Sequence, residues 1–103
     1  MEVIKMELYT IEGTISADGK ILSGDGFTVT HCYTGVYIVK FDHPFFYQAP
    51  EISIDISSFS AGANALVIDK NLKAFKCFTR QVEQDFMYLE DFEFNFSATG
   101  MKN

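Results

Sequence analysis

Residues 27–41 read FTVTHCYTGVYIVKF, two runs of strand-forming residues separated by a short turn. In the first run Phe27, Val29 and His31 alternate with threonine, which is the period-two pattern of a half-buried strand. The second run, 36–41, is apolar at most positions and indicates a more fully buried strand. Residues 33–35 form the turn, which the glycine at 35 favours. The stretch therefore predicts two successive β-strands.

Similar signals recur along the chain at intervals of roughly 8–12 residues, the spacing typical of β-sandwiches and barrels. Residues 51–56 alternate isoleucine with polar residues, while Asp18-Gly19 and the two glycines in 23–26 mark turns. Other segments are assigned from the same patterns: strands at 65–68, 72–79 and 86–98, loops at 57–64 and 80–85, and a turn at 69–71. We predict an all-β fold, an antiparallel β-sandwich of about eight or nine short strands with jelly-roll or immunoglobulin-like organisation.

The length and composition predict a single folded domain spanning residues 1–103. A chain of 103 residues suffices for one domain and hardly for a second. Hydrophobic residues make up 48% and charged residues 21% of the chain, a balance that excludes intrinsic disorder. No linker, internal repeat or low-complexity segment divides it.

Charge and the N-terminal pattern restrict the partners of the protein. The formal net charge is −6 with only 8 lysines and arginines, which argues against a protein that tracks nucleic-acid phosphates. Charges recur every two or three positions in residues 1–7, so we predict no signal peptide. No apolar run approaches the roughly 18 residues of a membrane-spanning helix. We expect a soluble protein made in the cytoplasm, with no membrane or nucleic-acid partner.

No known catalytic or metal-binding pattern occurs in the sequence. There is no Gly-x-Ser-x-Gly elbow, and neither His31, expected in the core or at its rim, nor His43, expected in a turn, has a catalytic context. The cysteines, Cys32 and Cys77, do not provide the paired spacing of a zinc site. Without a signal peptide a reducing compartment is favoured, so both are expected to be small, mostly buried thiols. We predict no enzymatic activity, no cofactor and no metal.

Two groups of aromatic residues stand out. Phe92, Phe94 and Phe96 alternate with polar residues, which predicts that all three lie on the core face of one strand. Residues 45–47 are instead three consecutive aromatic rings, and one strand face cannot cover all of them. Either Phe46 or Tyr47 is then exposed or at an interface, or the segment bends and packs both under a loop.

Exposed contiguous aromatic residues usually mark contact with a partner. Phe46 and Tyr47 are therefore candidate interface residues. Phe59, which lies in a loop of small residues, is a further candidate for such contact.

Part of the sequence resembles a known class of modules. Residues 13–29 follow the pattern G-x-I … I-x-S-G-x-G-F-T-V, and residues 34–41 follow T-G-x-Y-x-V-x-F. With Pro44-Phe45 and Ala49-Pro50, these segments resemble small β-sandwich modules at the ends of phage tail-fibre and other bacterial or phage surface proteins. The segment 44–52 is also similar to the H-type lectin domain, a β-sandwich that binds sugars as a trimer or hexamer.

The resemblance implies a non-enzymatic module that self-associates, as a trimer or hexamer, in a phage-derived or bacterial surface assembly such as a virion. It also implies that Phe45 belongs to the core. The alternative is a lectin-like module in which loops at one end bind carbohydrate through an aromatic platform and nearby polar groups. The candidate ligand residues are those near predicted strand ends, namely Tyr33, Asp42, His43 and Tyr47. A third possibility is a structural domain that neither assembles nor binds a ligand.

Overall fold

The structure is a computed structural model that describes residues 7–57 and 61–102. Within these residues the chain forms nine β-strands and no helix. In chain order the strands are β1 (Glu7–Ile15), β2 (Ile21–Ser23), β3 (Phe27–Tyr33), β4 (Val36–Phe41), β5 (Phe46–Ile56), β6 (Ala63–Lys70), β7 (Ala74–Glu83), β8 (Phe86–Leu89) and β9 (Phe94–Lys102).

The strands form two antiparallel sheets that pack face to face. The first sheet has the order β2-β1-β9-β5, and the second has the order β3-β4-β7-β6. The short strand β8 also belongs to the second sheet, where it pairs with residues 80–83 of β7 beyond the point at which β4 stops. The predicted all-β antiparallel sandwich of eight or nine strands is therefore confirmed.

The core lies between the inward faces of the two sheets and is largely aromatic. The Phe96 ring of β9 lies in edge-to-face contact with Phe27 of β3 and Phe75 of β7, with centroid distances of 4.9 and 5.1 Å. Such contacts add about 0.5–1.5 kcal/mol per pair beyond the area they bury. The isoleucines of 51–56 pack against this core, and Phe45 is 4% exposed. The alternating pattern thus identified the inward face of β5 correctly.

The predicted loop at 80–85 is wrong for residues 80–83, which continue β7. Two polar side chains in this stretch form hydrogen bonds with nearby residues of the same chain. Arg80 Nε donates to Asn64 Oδ1 at 2.6 Å, and Gln81 Nε2 donates to the carbonyl oxygen of Ala61 at 2.6 Å. Only Gln84 and Asp85 form the turn into β8.

The single strand predicted at 86–98 is in fact two strands separated by residues 90–93. The break occurs because Asp91 turns towards the β3–β4 hairpin and accepts hydrogen bonds there. Phe92 consequently precedes β9 and is only half-buried, whereas Phe94 and Phe96 are core residues. The prediction of three core phenylalanines on one strand was therefore wrong for Phe92.

Other predicted boundaries were wrong at strand ends. Tyr33, assigned to the turn, is the last residue of β3; β5 begins at Phe46 rather than at 51; and β9 continues past 98 to Lys102. Strand β6 spans Ala63–Lys70, so it includes residues assigned above to a loop and to a turn. The turn is at 71–73, where Asn71 Oδ1 accepts from the backbone N–H groups of Lys73 and Ala74. An asparagine that binds its own following backbone in this way fixes a turn.

Candidate interaction surfaces

The four candidate ligand residues do not lie together. Tyr33 is at the β3–β4 turn, while Asp42, His43 and Tyr47 are near the other end of β4. Six residues of β4 separate the two groups, a distance of about 20 Å along a strand. All four side chains are exposed, but Tyr33 lies at the opposite end of the sandwich from the other three, so the four cannot form one binding site.

A small pocket lies beside His43. It is lined by Tyr9, Pro44 and Lys102 among others, and its volume is about 30 Å³. Pockets that enclose organic ligands usually have about 300–1,000 Å³, so this one has room for water rather than for a sugar ring. Lys102 Nζ lies 4.4 Å from the centre of the Tyr9 ring, a cation–π contact on one wall.

The interface candidates Phe46 and Tyr47 lie at the His43 end of the sandwich. Tyr47 is 79% exposed and has a positive φ of 83°, whereas Phe46 is half-buried. Phe46 pairs with Met101, which in turn pairs with the exposed Leu8, so the three form an apolar row across the outer face of the first sheet. Phe59, the third candidate, lies outside the described residues.

The sequence-based analysis missed a second apolar surface at the opposite end. All four residues of β8 are exposed, from 73% for Phe86 to 40% for Leu89. The available signal was the uninterrupted apolar run 86–89, directly after a polar segment. That run was assigned to the strand predicted at 86–98, and its exposure was missed because periodicity does not reveal where the opposite sheet ends.

The β7–β8 hairpin is uncovered on both faces. Phe86 and Tyr88 point to the side of the second sheet that elsewhere faces the core. Their register partners, Glu83 and Gln81, continue the alternate positions of β7 that face inward. Both rings are nevertheless exposed, because the first sheet does not extend over them. On the outer side, Met87 pairs with Val82, which is also exposed.

The outer apolar surface continues from the hairpin onto the second sheet. Leu66, Phe78 and Val36 are register partners across three adjacent strands, and Val36 also pairs with Tyr33. Register partners share a sheet face, so these side chains form one row beside the hairpin. We call the exposed apolar members of this region the hairpin surface: Tyr33, Leu66, Val82, Phe86, Met87, Tyr88 and Leu89.

A polar cluster fixes the base of the hairpin. Asp91 Oδ1 accepts from the backbone N–H of Gly35 at 2.6 Å and from His31 Nε2 at 2.8 Å. The Tyr37 hydroxyl donates to the Ala17 carbonyl oxygen at 2.6 Å, and its ring stacks on His31 with centroids 4.8 Å apart. Partial burial acts to raise the pKa of Asp91, but the hydrogen bonds from Gly35 and His31 outweigh it and hold the pKa below its usual value.

This cluster confirms His31 as a rim residue and gives Asp91 a bracing role. The segment that leaves β8 is attached to the β3–β4 hairpin through the Asp91 carboxylate, which accepts from Gly35 and His31. The Tyr37 hydroxyl, whose proton is donated to Ala17, lies 3.3 Å from the same carboxylate oxygen. Charge-assisted hydrogen bonds of this kind are shorter and stronger than neutral ones. They hold the start of the hairpin surface in a defined position.

In the part of the chain that the structure describes, the cysteines form no disulfide, and the residue types that bind metals form no metal site. Both cysteines are free; Cys77 is buried as predicted, but Cys32 is only half-buried. Burial raises the pKa of the Cys77 thiol to about 12, so it stays protonated and unreactive. Among the described residues no three His, Cys, Asp or Glu side chains are grouped to hold an ion.

Comparison of the chain with protein families, with curated proteins and with solved structures gives no match. Residues 7–57 and 61–102 also contain no helix that is long and apolar enough to cross a bilayer.

Proposed function

We propose that the protein is a non-enzymatic β-sandwich module that assembles with copies of itself. The observation that supports this most is the exposure of every residue of β8, a strand composed entirely of large apolar side chains. Leaving such side chains in water forgoes about 1.5–3 kcal/mol for each one that could be buried. A surface of this kind is expected to be covered in the working state of the protein.

The hairpin surface exposes apolar area on both faces of the second sheet. Taking about 200 Å² for each large side chain, its exposed fractions amount to roughly 500 Å² on the outer face and roughly 200 Å² on the other face, where Phe86 and Tyr88 lie. Stable protein interfaces bury about 800 Å² on each partner, and isolated apolar patches on monomers are usually smaller. The row formed by Leu8, Met101 and Phe46 at the other end offers a second contact. Two surfaces at opposite ends allow an assembly larger than a dimer.

The resemblance to tail-fibre and surface-protein modules suggests where such an assembly occurs. Modules of that class act through contacts between subunits, which agrees with a role for the two apolar ends. We propose a phage-derived or bacterial surface assembly as the setting, with a trimer or hexamer as the stoichiometry that the resemblance favours.

The lectin-like alternative has less support from the geometry. Its candidate residues are divided between the two ends of β4, and the pocket beside His43 holds about 30 Å³. Tyr47 remains a possible sugar-stacking ring because it is 79% exposed. A shallow site at Tyr47 would give sugar binding that survives loss of the assembly. A glycan array that compares the wild-type protein with Tyr47→Ala tests this alternative.

The mass of the protein in solution tests the proposal. Light scattering coupled to size-exclusion chromatography is expected to give a multiple of the 11.6 kDa chain mass. Phe86→Asp is expected to reduce that mass, because it places a charge on β8. The matched control is Leu22→Asp, at a residue that is 55% exposed on β2 and lies outside the hairpin surface. A mass of 11.6 kDa at every concentration up to millimolar would refute self-association.

A further inference from the structure

We propose that β8 is the strand through which two copies join, by pairing antiparallel with β8 of the second copy across a two-fold axis. The two second sheets then become one continuous sheet. This inference rests on the proposed function and adds to it the contacting strand, its register and the symmetry of the contact. A two-fold contact agrees with the hexamer, as three dimers joined through the row of Leu8, Met101 and Phe46, and not with the trimer.

The backbone of β8 has hydrogen-bonding groups free on its outer edge. In an antiparallel pair, residues alternate between those that bond to the partner strand and those whose N–H and C=O point away from it. Glu90 N–H donates to the Thr79 carbonyl at 3.2 Å, and Val82 N–H donates away from β8 to the Gly62 carbonyl at 2.9 Å. The alternation then directs the backbone groups of Tyr88 to β7 and those of Met87 and Leu89 to the open edge.

These free groups define the register of the second copy. A strand that satisfies both must pair Met87 with the second copy's Leu89, and Leu89 with the second copy's Met87. Each such pair exchanges two N–H···O bonds, and the two-fold axis then passes beside Tyr88. Two aliphatic cross-strand pairs form on the outer face and a Tyr88–Tyr88 pair on the other, the kinds of contact that stabilise sheets.

Other sheet edges carry features that hinder pairing, and β8 does not. Strand β3 has no proline, lysine, arginine or carboxylate, but its register shifts between His31 and Tyr33. Strand β5 has Pro50, Glu51, Asp55 and a register shift, while β6 has the charged pair 69–70 and a register shift of its own. Charges, proline and bulges are the devices by which proteins block edge-to-edge association. Strand β8 has no charge, no proline and no bulge. Strand β2 is only three residues long, which also limits its pairing.

The second copy is the occupant that fits this edge. An antiparallel pair of identical strands is two-fold symmetric, so each copy supplies the same free groups and the same apolar side chains. Pairing at this edge sets the exposed side chains of β8, Phe86 to Leu89, beside those of the second copy's β8.

The first test separates strand pairing from side-chain packing. Met87→Pro and Met87→Ala both remove the thioether side chain, but only proline removes the outward N–H. Proline is tolerated on edge strands where its nitrogen faces solvent, and the β7 pairing of Tyr88 is unaffected. Because two hydrogen bonds are lost per dimer, we expect Met87→Pro to raise the dimer Kd about 30-fold more than Met87→Ala does.

Equal effects of the two substitutions would overturn strand pairing while leaving self-association intact. A wild-type protein that stays monomeric would instead refute the proposed function, so the two failures are distinguishable. Thermal unfolding of each variant establishes that the monomer is still folded.

A cross-linking test does not depend on proline. Tyr88 faces its own counterpart as a non-hydrogen-bonded pair, with an expected Cα–Cα distance of about 4.5 Å, within the range that a disulfide spans. Tyr88→Cys is therefore expected to give a disulfide-linked dimer under mild oxidation, mapped by mass spectrometry. Met87→Cys is the matched control, because position 87 faces position 89. Cross-linking at position 88 that is no greater than at position 87 would overturn the register and the two-fold contact.

Discussion

Replacing Phe94 with alanine is expected to lower the free energy of unfolding by about 3–5 kcal/mol, the usual cost of emptying a phenylalanine site in a core. Phe94 is fully buried on β9 and lies in edge-to-face contact with Tyr37 at a centroid distance of 5.0 Å. The surrounding strands are held by their own hydrogen bonds and cannot collapse into the cavity. Urea-induced unfolding followed by circular dichroism measures the change.

Phe92→Ala is the matched control, since it removes the same side chain two residues earlier. Phe92 is half-buried and lies outside β9, so we expect a loss of less than about 1.5 kcal/mol. Equal losses in the two variants would mean that both rings belong to one core-facing strand. The break between β8 and β9 would then be wrong, and with it the separate hairpin.

Gly24→Ala is expected to destabilise the protein by about 3 kcal/mol or more, through strain and overlap together. Gly24 has a φ of +94°, which L side chains rarely adopt. A Cβ atom here would overlap the carbonyl oxygen of Glu12 and lie 2.9 Å from Gly13 Cα. Because both obstacles are backbone atoms of β1, neither can move aside without disturbing the first sheet.

Gly26→Ala separates the two contributions in the same turn. Gly26 has a φ of +87°, but no atom lies within 4 Å of the position that its Cβ would occupy. Only the backbone strain remains, which costs about 1–2 kcal/mol. Thermal unfolding of the two variants gives the comparison. A Gly24→Ala protein no less stable than Gly26→Ala would contradict the close approach of this turn to β1.

The fold could be predicted from the sequence because most strands have one solvent-exposed face and one buried face. Alternation identified the strands that contain 27–31 and 51–56, together with the inward direction of their side chains, and the apolar run at 36–41 identified a third strand. It failed at 80–83, where polar side chains form hydrogen bonds with nearby residues of the same chain. It failed again at Asp91, whose partners lie more than 50 residues away in sequence. Local patterns do not contain such long-range partners.

The candidate surfaces could be predicted only in part for a related reason. Three consecutive rings at 45–47 left two alternatives, an exposed ring or a bend that packs both under a loop, and the 79% exposure of Tyr47 agrees with the first. The apolar run of β8 was assigned to the strand predicted at 86–98, and its exposure was missed because a sequence does not state how far the opposite sheet reaches. Tyr33 and Tyr47 were both predicted to lie near strand ends, and both do, but the strand directions place them at opposite ends of the sandwich.

Amide hydrogen exchange of β8, followed by NMR at increasing protein concentration, tests the central claim most directly. Tyr88 N–H points to β7 and is expected to exchange slowly at every concentration. Met87 and Leu89 N–H point to the open edge, so they are expected to exchange fast in dilute solution and to become protected as the protein associates. Fast exchange of Met87 and Leu89 at all concentrations would contradict assembly through β8.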